Sequence, residues 1–453
     1  MNVLNPKIWP KTATRREGVV RIGDCSVKAI AAKYGTPIFV LDELDLLERA
    51  TYWRDQLQGV FGEKSHQVYF AAKSFISVEV AKLIAEIGIG IDVCTGGELA
   101  VARAANFPGE RIEMHGNNKS EAEIASAIDY RVATIVVDSL QEITRIARIA
   151  HEKGRVQGVM IRLNPGVEAH THEFIKTAHE DVKFGFSIAS GAAWDAIMEI
   201  SKHETLKLVG VHTHIGSQIF SDEAFRETAV RLLGFLARYK AEFGVELPEL
   251  NIGGGIGIAY TDADQPISAA QLLTSLKTVI ASECSKLGLN FPQISVEPGR
   301  AIIGPSMVTI YRVGTTKEVR LEDGKTRLYV SVDGGMSDNI RPALYSADYS
   351  IALANRESTA QLRDCRIVGK HCESGDIIID SVELASDIAP GDLLVVPATG
   401  AYGRSMASNY NHQPRPGVIS VANGAARTIL RTETERDLLA LDVVEAATPM
   451  GDE

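Results

Sequence analysis

A single lysine, Lys73, closes the apolar run VYFAAKSF at 68–75. A compact run of this kind predicts a buried strand, which sets its terminal lysine at the edge of the core. Desolvation there lowers an amine pKa, as a Schiff-base nucleophile requires. The same lysine can equally lead out to solvent, and the stretch alone does not separate the two. Two further groups carry chemical potential, NIGGGIG at 251–257 and EPGR at 297–300. Glycine lets backbone N–H groups approach an anion, and a following helix N-terminus adds a favourable dipole. A glycine cluster can also be only a tight turn, and this one lacks the GxGxxG spacing of a dinucleotide fold. Glu297 precedes Pro298-Gly299-Arg300, a rigid corner that fixes its carboxylate.

These groups need a scaffold that brings them together. Strand-like runs recur at 69–73, 89–93, 111–116, 134–139, 159–164, 208–216, 249–255 and 294–299. Amphipathic helical patterns separate them. QEITRIARIAHEKG sets Ile143, Ile146, Ala147 and Ala150 on one face and stops at Gly154, and Ser120 with Glu123 forms a capping box. Eight strand–helix units predict an α/β fold, a closed (β/α)8 barrel with its active site at the C-terminal strand ends. Those ends read Lys73, Asp92, His115, Asp138, Asn164, His212 and His214, Gly253 to Gly257, and Glu297 to Arg300. Each alone has a plain structural use; nearly every strand ending in an ionisable or glycine-rich group is the stronger sign. A Schiff-base lysine, an anion cradle and an inward carboxylate in one barrel mouth meet the needs of pyridoxal 5′-phosphate. The lysine holds the aldehyde carbon, the glycines the phosphate, and the carboxylate keeps the ring nitrogen protonated.

The barrel is expected over 36–304, where short strands broken by glycine and aspartate take over. Residues 305–453, with 1–35, predict a C-terminal all-β domain. A length of 453 residues suits two domains. The formal net charge of −11 argues against a nucleic-acid partner. No apolar run reaches a membrane span, and the start MNVLNPKIWPKTATRRE has no secretory h-region, so a cytoplasmic location is expected. Cys25, Cys94, Cys284, Cys365 and Cys372 are scattered and in no metal-ligand spacing, so no metal is expected. As an isolated residue, Cys372 beside His371 reads as a buried structural thiol.

The chain resembles the fold-type III pyridoxal phosphate decarboxylases, the alanine racemase and ornithine decarboxylase superfamily, and within it the family that acts on diaminopimelate. YGTPIFVLDE, YFAAKSF, IDVCTGGEL, HGNNKS, NPGVEAHTH, KFGF, HTHIGSQ, NIGGGIG, SVEPGR, DGGMSDNIRPALY, CESGD and TGAYGRSMASNYN carry the likeness across residues 34–411. The resemblance implies decarboxylation of meso-2,6-diaminopimelate to L-lysine, with Lys73 bound to the cofactor. It implies His214 on the pyridine ring, Ser217 at the phosphate, and backbone phosphate contacts from Gly254, Gly255, Gly257, Gly299 and Arg300. Glu297 pairs with the ring nitrogen, and Asp92 and His115 stand behind the ring. Arg300, Arg341 and Tyr345 hold the substrate's distal carboxylate, Glu373 its distal amino group, and Tyr402 lies beside cofactor and substrate. Cys372 comes from the partner subunit of a homodimer and protonates Cα, so the β-domain completes the partner's active site. Gly334, Ser337 and Thr95 depart from the usual pattern at positions without a catalytic role, and the NHQPRP loop is slightly unusual. A racemase would favour arginine over Glu297 at the ring nitrogen. A sister decarboxylase acting on ornithine would want an acidic residue in place of the arginine pair, and a cofactor carrier without turnover typically lacks the second domain or the acid cysteine.

Overall fold

The computed structural model describes residues 4–62, 66–167 and 183–445. Glu168–His172, the end of the NPGVEAHTH motif, lie outside the described residues.

The eight expected runs form eight parallel strands: Gln67–Ala71, Gly90–Val93, Ile112–Met114, Thr134–Val137, Gln157–Asn164, Leu206–His212, Glu249–Asn251 and Gln293–Val296. Each pairs with the next, and the eighth returns to the first through Ser295 opposite Gln67, so the barrel is closed. Most observed strands stop before the motif residues at their ends, and Lys73 falls in a single 3₁₀ turn, Ala72–Ser74. The helices between follow their sequence signals. Leu140–Glu152 buries Ile143, Ile146, Ala147 and Ala150, and Gly154 leaves with φ +61°. Ser120 and Glu123 make the reciprocal capping box, a device worth about 1 kcal/mol at the cap residue.

A second sheet of nine strands takes in Ile38–Asp42 and the strands from Met307 to Leu430. Ile38–Asp42 falls inside the range expected for the barrel, yet it pairs antiparallel with Met307–Arg320 and parallel with Val418–Ala422. Sequence position does not decide its sheet, because the strand is buried on both faces. With a side-chain period of two, Phe39 and Leu41 enter the barrel-side core while Ile38 and Val40 enter the β-domain core. This strand welds the two domains into one body, and the chain passes from one to the other at Asp42, whose carboxylate caps the next helix. A separate three-stranded sheet, Thr14–Arg16, Val19–Ile22 and Cys25–Ser26, precedes it. No helix among the described residues is long and apolar enough to cross a membrane.

Candidate active site

Lys73 leaves the first barrel strand beside the second, where Ala71 lies opposite Asp92. Burial pushes the Lys73 ammonium toward its neutral form, but Asp92, with Tyr402, Cys94 and Glu297 behind it, outweighs burial and raises its pKa. The lowered pKa expected from the sequence is therefore corrected: neighbouring acids decide the charge, and the amine must lose a proton before it can attack. Burial and the nearby Glu297 oppose a charge on Asp92, and the Lys73 ammonium favours it. Both Asp92 oxygens are buried without a hydrogen-bond partner.

Glu297 follows the eighth strand and is held from its backbone by Gly253 O at 3.0 Å. Burial opposes its charge, yet His212 and then His115, with the Lys73 ammonium, keep it well below the usual carboxylate range. His212 Nε2 approaches Glu297 Oε1 to 3.0 Å and His115 Nε2 to 3.5 Å. Burial keeps both imidazoles neutral. His214, also neutral by burial, accepts the N–H of Gly254 on Nδ1 at 3.3 Å, so its ring is oriented by the glycine run.

That run lies close against neighbouring backbone. A Cβ on Gly253 would meet Thr213 O at 2.1 Å, on Gly254 Glu297 O at 2.4 Å, and on Gly255, at φ +100°, Gly216 O at 2.4 Å. The N–H groups of Gly257 and Gly299 already donate to Ile219 O and Glu297 O, at 3.0 and 2.9 Å. Both N–H groups are thus already satisfied by backbone carbonyls.

Ser217, Arg300, Arg341, Tyr345 and Tyr402, scattered through the sequence, line one cavity of about 570 Å³. Arg300 donates to Ser217 Oγ at 2.8 Å and to the Tyr260 hydroxyl at 2.5 Å, and its guanidinium lies 4.7 Å above the Tyr402 ring. Arg341 donates to the Tyr349 hydroxyl and lies 4.5 Å over the Tyr260 ring. Tyr402 takes a left-handed φ of +59°, and its N–H is held by Ser74 O at 2.9 Å, next to Lys73. Such a conformation in a non-glycine residue persists only where surroundings over-determine it, as at binding sites.

Cys372 and Glu373 are exposed and do not line this cavity. Glu373 instead accepts from Gly375 N at 3.1 Å, and the Cys372 N–H goes to Asn411 Oδ1 at 3.2 Å. Tyr260, between the two arginines, was not singled out by the sequence; its place on the loop after the glycine run was the available signal. Arg162 was also passed over: a lone cation in the apolar fifth strand, stacked 4.3 Å from Phe184 and facing Asp138, Glu297 and Asp92.

The two orphaned carboxylate oxygens of Asp92, the buried Glu297 carboxylate and a lysine among them suit a group that brings its own cation and aldehyde. Pyridoxal phosphate fits this donor set. The fold and this mouth define a pyridoxal-dependent decarboxylase, and the family "Pyridoxal-dependent decarboxylase, pyridoxal binding domain" matches residues 44–304. Within that class, the chain belongs to the diaminopimelate decarboxylase family. It is 50% identical over 445 residues to the diaminopimelate decarboxylase of Mycobacterium tuberculosis (strain ATCC 25618 / H37Rv), covering 97% of this chain and 98% of the relative. It is 43% identical over 428 residues to that of Bacillus subtilis (strain 168), covering 94% and 96%. The solved diaminopimelate decarboxylase of M. jannaschii in complex with L-lysine superimposes with a TM-score of 0.88 at 31% identity, covering 96% of this chain and 98% of that one.

Proposed function

We propose that the chain decarboxylates meso-2,6-diaminopimelate to L-lysine and CO2 with pyridoxal 5′-phosphate, as a cytoplasmic homodimer. The observation that carries this reading is the convergence of Ser217, Arg300, Arg341, Tyr345 and Tyr402 on one cavity beside Lys73. Lys73 would hold the cofactor by its aldehyde carbon, Glu297 would face the ring nitrogen, and His214 would lie on the ring. Ser217, Arg300 and the backbone of Gly255 would take the phosphate. When bound, the cofactor supplies an electron sink for the pair released as the Cα–carboxylate bond breaks.

The protein's own side chains do the rest. Glu297, ionised against burial, keeps a proton at the atom it faces. Arg341 is buried with its guanidinium directed by two tyrosine rings, and its forked donors suit a distal carboxylate better than a lysine would. A substrate lacking that carboxylate leaves a buried cation unpaired, which is how such a site rejects ornithine. Cys372 and Glu373, exposed on their own chain, would complete the partner's site, Cys372 returning the proton to Cα and Glu373 binding the distal ammonium.

The test is CO2 release by the cofactor-loaded protein from meso-diaminopimelate, ornithine and lysine side by side. Release from meso-diaminopimelate alone is expected; comparable release from ornithine or lysine would contradict the reading.

A further inference from the structure

Glu297 is the near end of a buried polar chain that runs across the barrel interior. Its Oε1 lies 3.0 Å from His212 Nε2, while His115 Nε2 is divided between Glu297 Oε1 at 3.5 Å and Glu113 Oε2 at 3.4 Å. Glu113 Oε2 accepts from Asn251 Nδ2 at 2.9 Å, and the two imidazoles meet edge to face with centroids 4.7 Å apart. All five side chains are buried. The His212 contact is close but off the line of a hydrogen bond. Catalytic hydrogen bonds commonly start so and tighten when the site is loaded.

We propose that His212 is a positioning residue for decarboxylation, donating its Nε2–H to Glu297 so that this carboxylate stays ionised and turned toward the cofactor's ring nitrogen. The inference rests on the function proposed above and adds a residue to its machinery.

Residue chemistry favours this division of labour. A buried carboxylate must have donors to remain charged. A lysine or arginine at position 212 would supply them but would also neutralise Glu297 as an ion pair and compete with the ring nitrogen. A neutral imidazole donates without cancelling the charge. Burial, and the cations of Arg162 and Lys73 that face the ring, hold His212 in that neutral form against the pull of Glu297. His115 is the poorer donor, because it is farther away and shared with Glu113.

The test compares His212→Leu, His212→Gln and Glu297→Gln as loaded enzymes, following the pH dependence of the bound cofactor's visible absorption and kcat and KM separately. The leucine variant is expected to shift the pH midpoint of the absorption and to lower kcat about tenfold or more with KM little changed. The glutamine variant, which keeps an amide donor, is expected to restore both. A leucine variant with the wild-type absorption profile and kcat overturns the proposal, as does a glutamine variant no better than leucine. If Glu297→Gln itself leaves the absorption profile unchanged, the underlying functional reading fails; if it shifts the profile while His212→Leu does not, only the role of His212 fails. Should the leucine variant not fold, nitrogen NMR of the wild-type holoenzyme, assigned against His212→Gln, decides. A His212 ring protonated on Nε2 only is expected, and a ring protonated on Nδ1 only or on both nitrogens overturns the proposal.

Discussion

Cys372 stands on the surface of its own chain with its backbone fixed by Asn411 and the preceding His371 anchored to Ser337 Oγ at 2.8 Å. As the general acid proposed above, it would have a fixed backbone and a side chain open to a partner. Cys372→Ala is expected to keep the cofactor's absorbance while turnover falls on the order of a hundredfold, the usual loss for a general acid or base; unchanged turnover would remove the thiol from the chemistry. The ionisable strand ends Lys73, Asp92, His115 and Glu297 were legible in the sequence because a barrel gathers every strand's C-terminal end into one mouth. His212 was visible as a strand end, but its relation to Glu297 was not, since that depends on a 3.0 Å approach across the barrel from a residue 85 positions away. The charge on Lys73 was misread for a similar reason. Burial can be inferred from a local apolar run, whereas the acids that overrule it arrive from the second and eighth strands.

The glycine run after the seventh strand shows how an element can be readable in type but not in detail. Its glycines were expected to donate to an anion; the structure gives the Gly257 N–H a backbone acceptor instead and leaves no room for a side chain at Gly253, Gly254 or Gly255. Gly255→Ala is expected to destabilise the protein by roughly 1–3 kcal/mol, from a left-handed φ and a clash with Gly216 O together. Cofactor affinity should fall with it. Thermal melting with and without pyridoxal phosphate reads both, and a variant with wild-type melting and affinity would contradict the packing described. Eight barrel strands and the all-β texture after residue 304 followed from periodicity. The sheet of Ile38–Asp42 did not, because a strand buried on both faces looks the same in either domain and only its hydrogen-bond partners assign it.

At the scale of the whole molecule, one chain places Arg300, Arg341 and Tyr402 around a single cavity, with Tyr402 tied to Ser74 next to Lys73, while leaving Cys372 and Glu373 outside it. On the function proposed above, the site is completed by a second copy arranged about a two-fold axis. Mixing inactive Lys73→Ala with inactive Cys372→Ala is expected to recover about a quarter of the wild-type activity. Half of randomly paired dimers are then mixed, and each mixed dimer has one intact site of two. No recovery after subunit exchange would mean that the reaction is completed within one chain. No periodicity or spacing marks which side chains face a partner; the family resemblance implied it for Cys372, and the exposure of Cys372 and Glu373 on the folded chain agrees with it.

The most direct measurement is borohydride reduction of the cofactor-loaded protein followed by peptide mapping. Reduction fixes the pyridoxyl group to whichever amine holds it, and that amine is expected to be Lys73 Nζ, beside Asp92 and Tyr402. A label on another lysine, such as the buried Lys119 paired with Glu142, or no label at all, would contradict it.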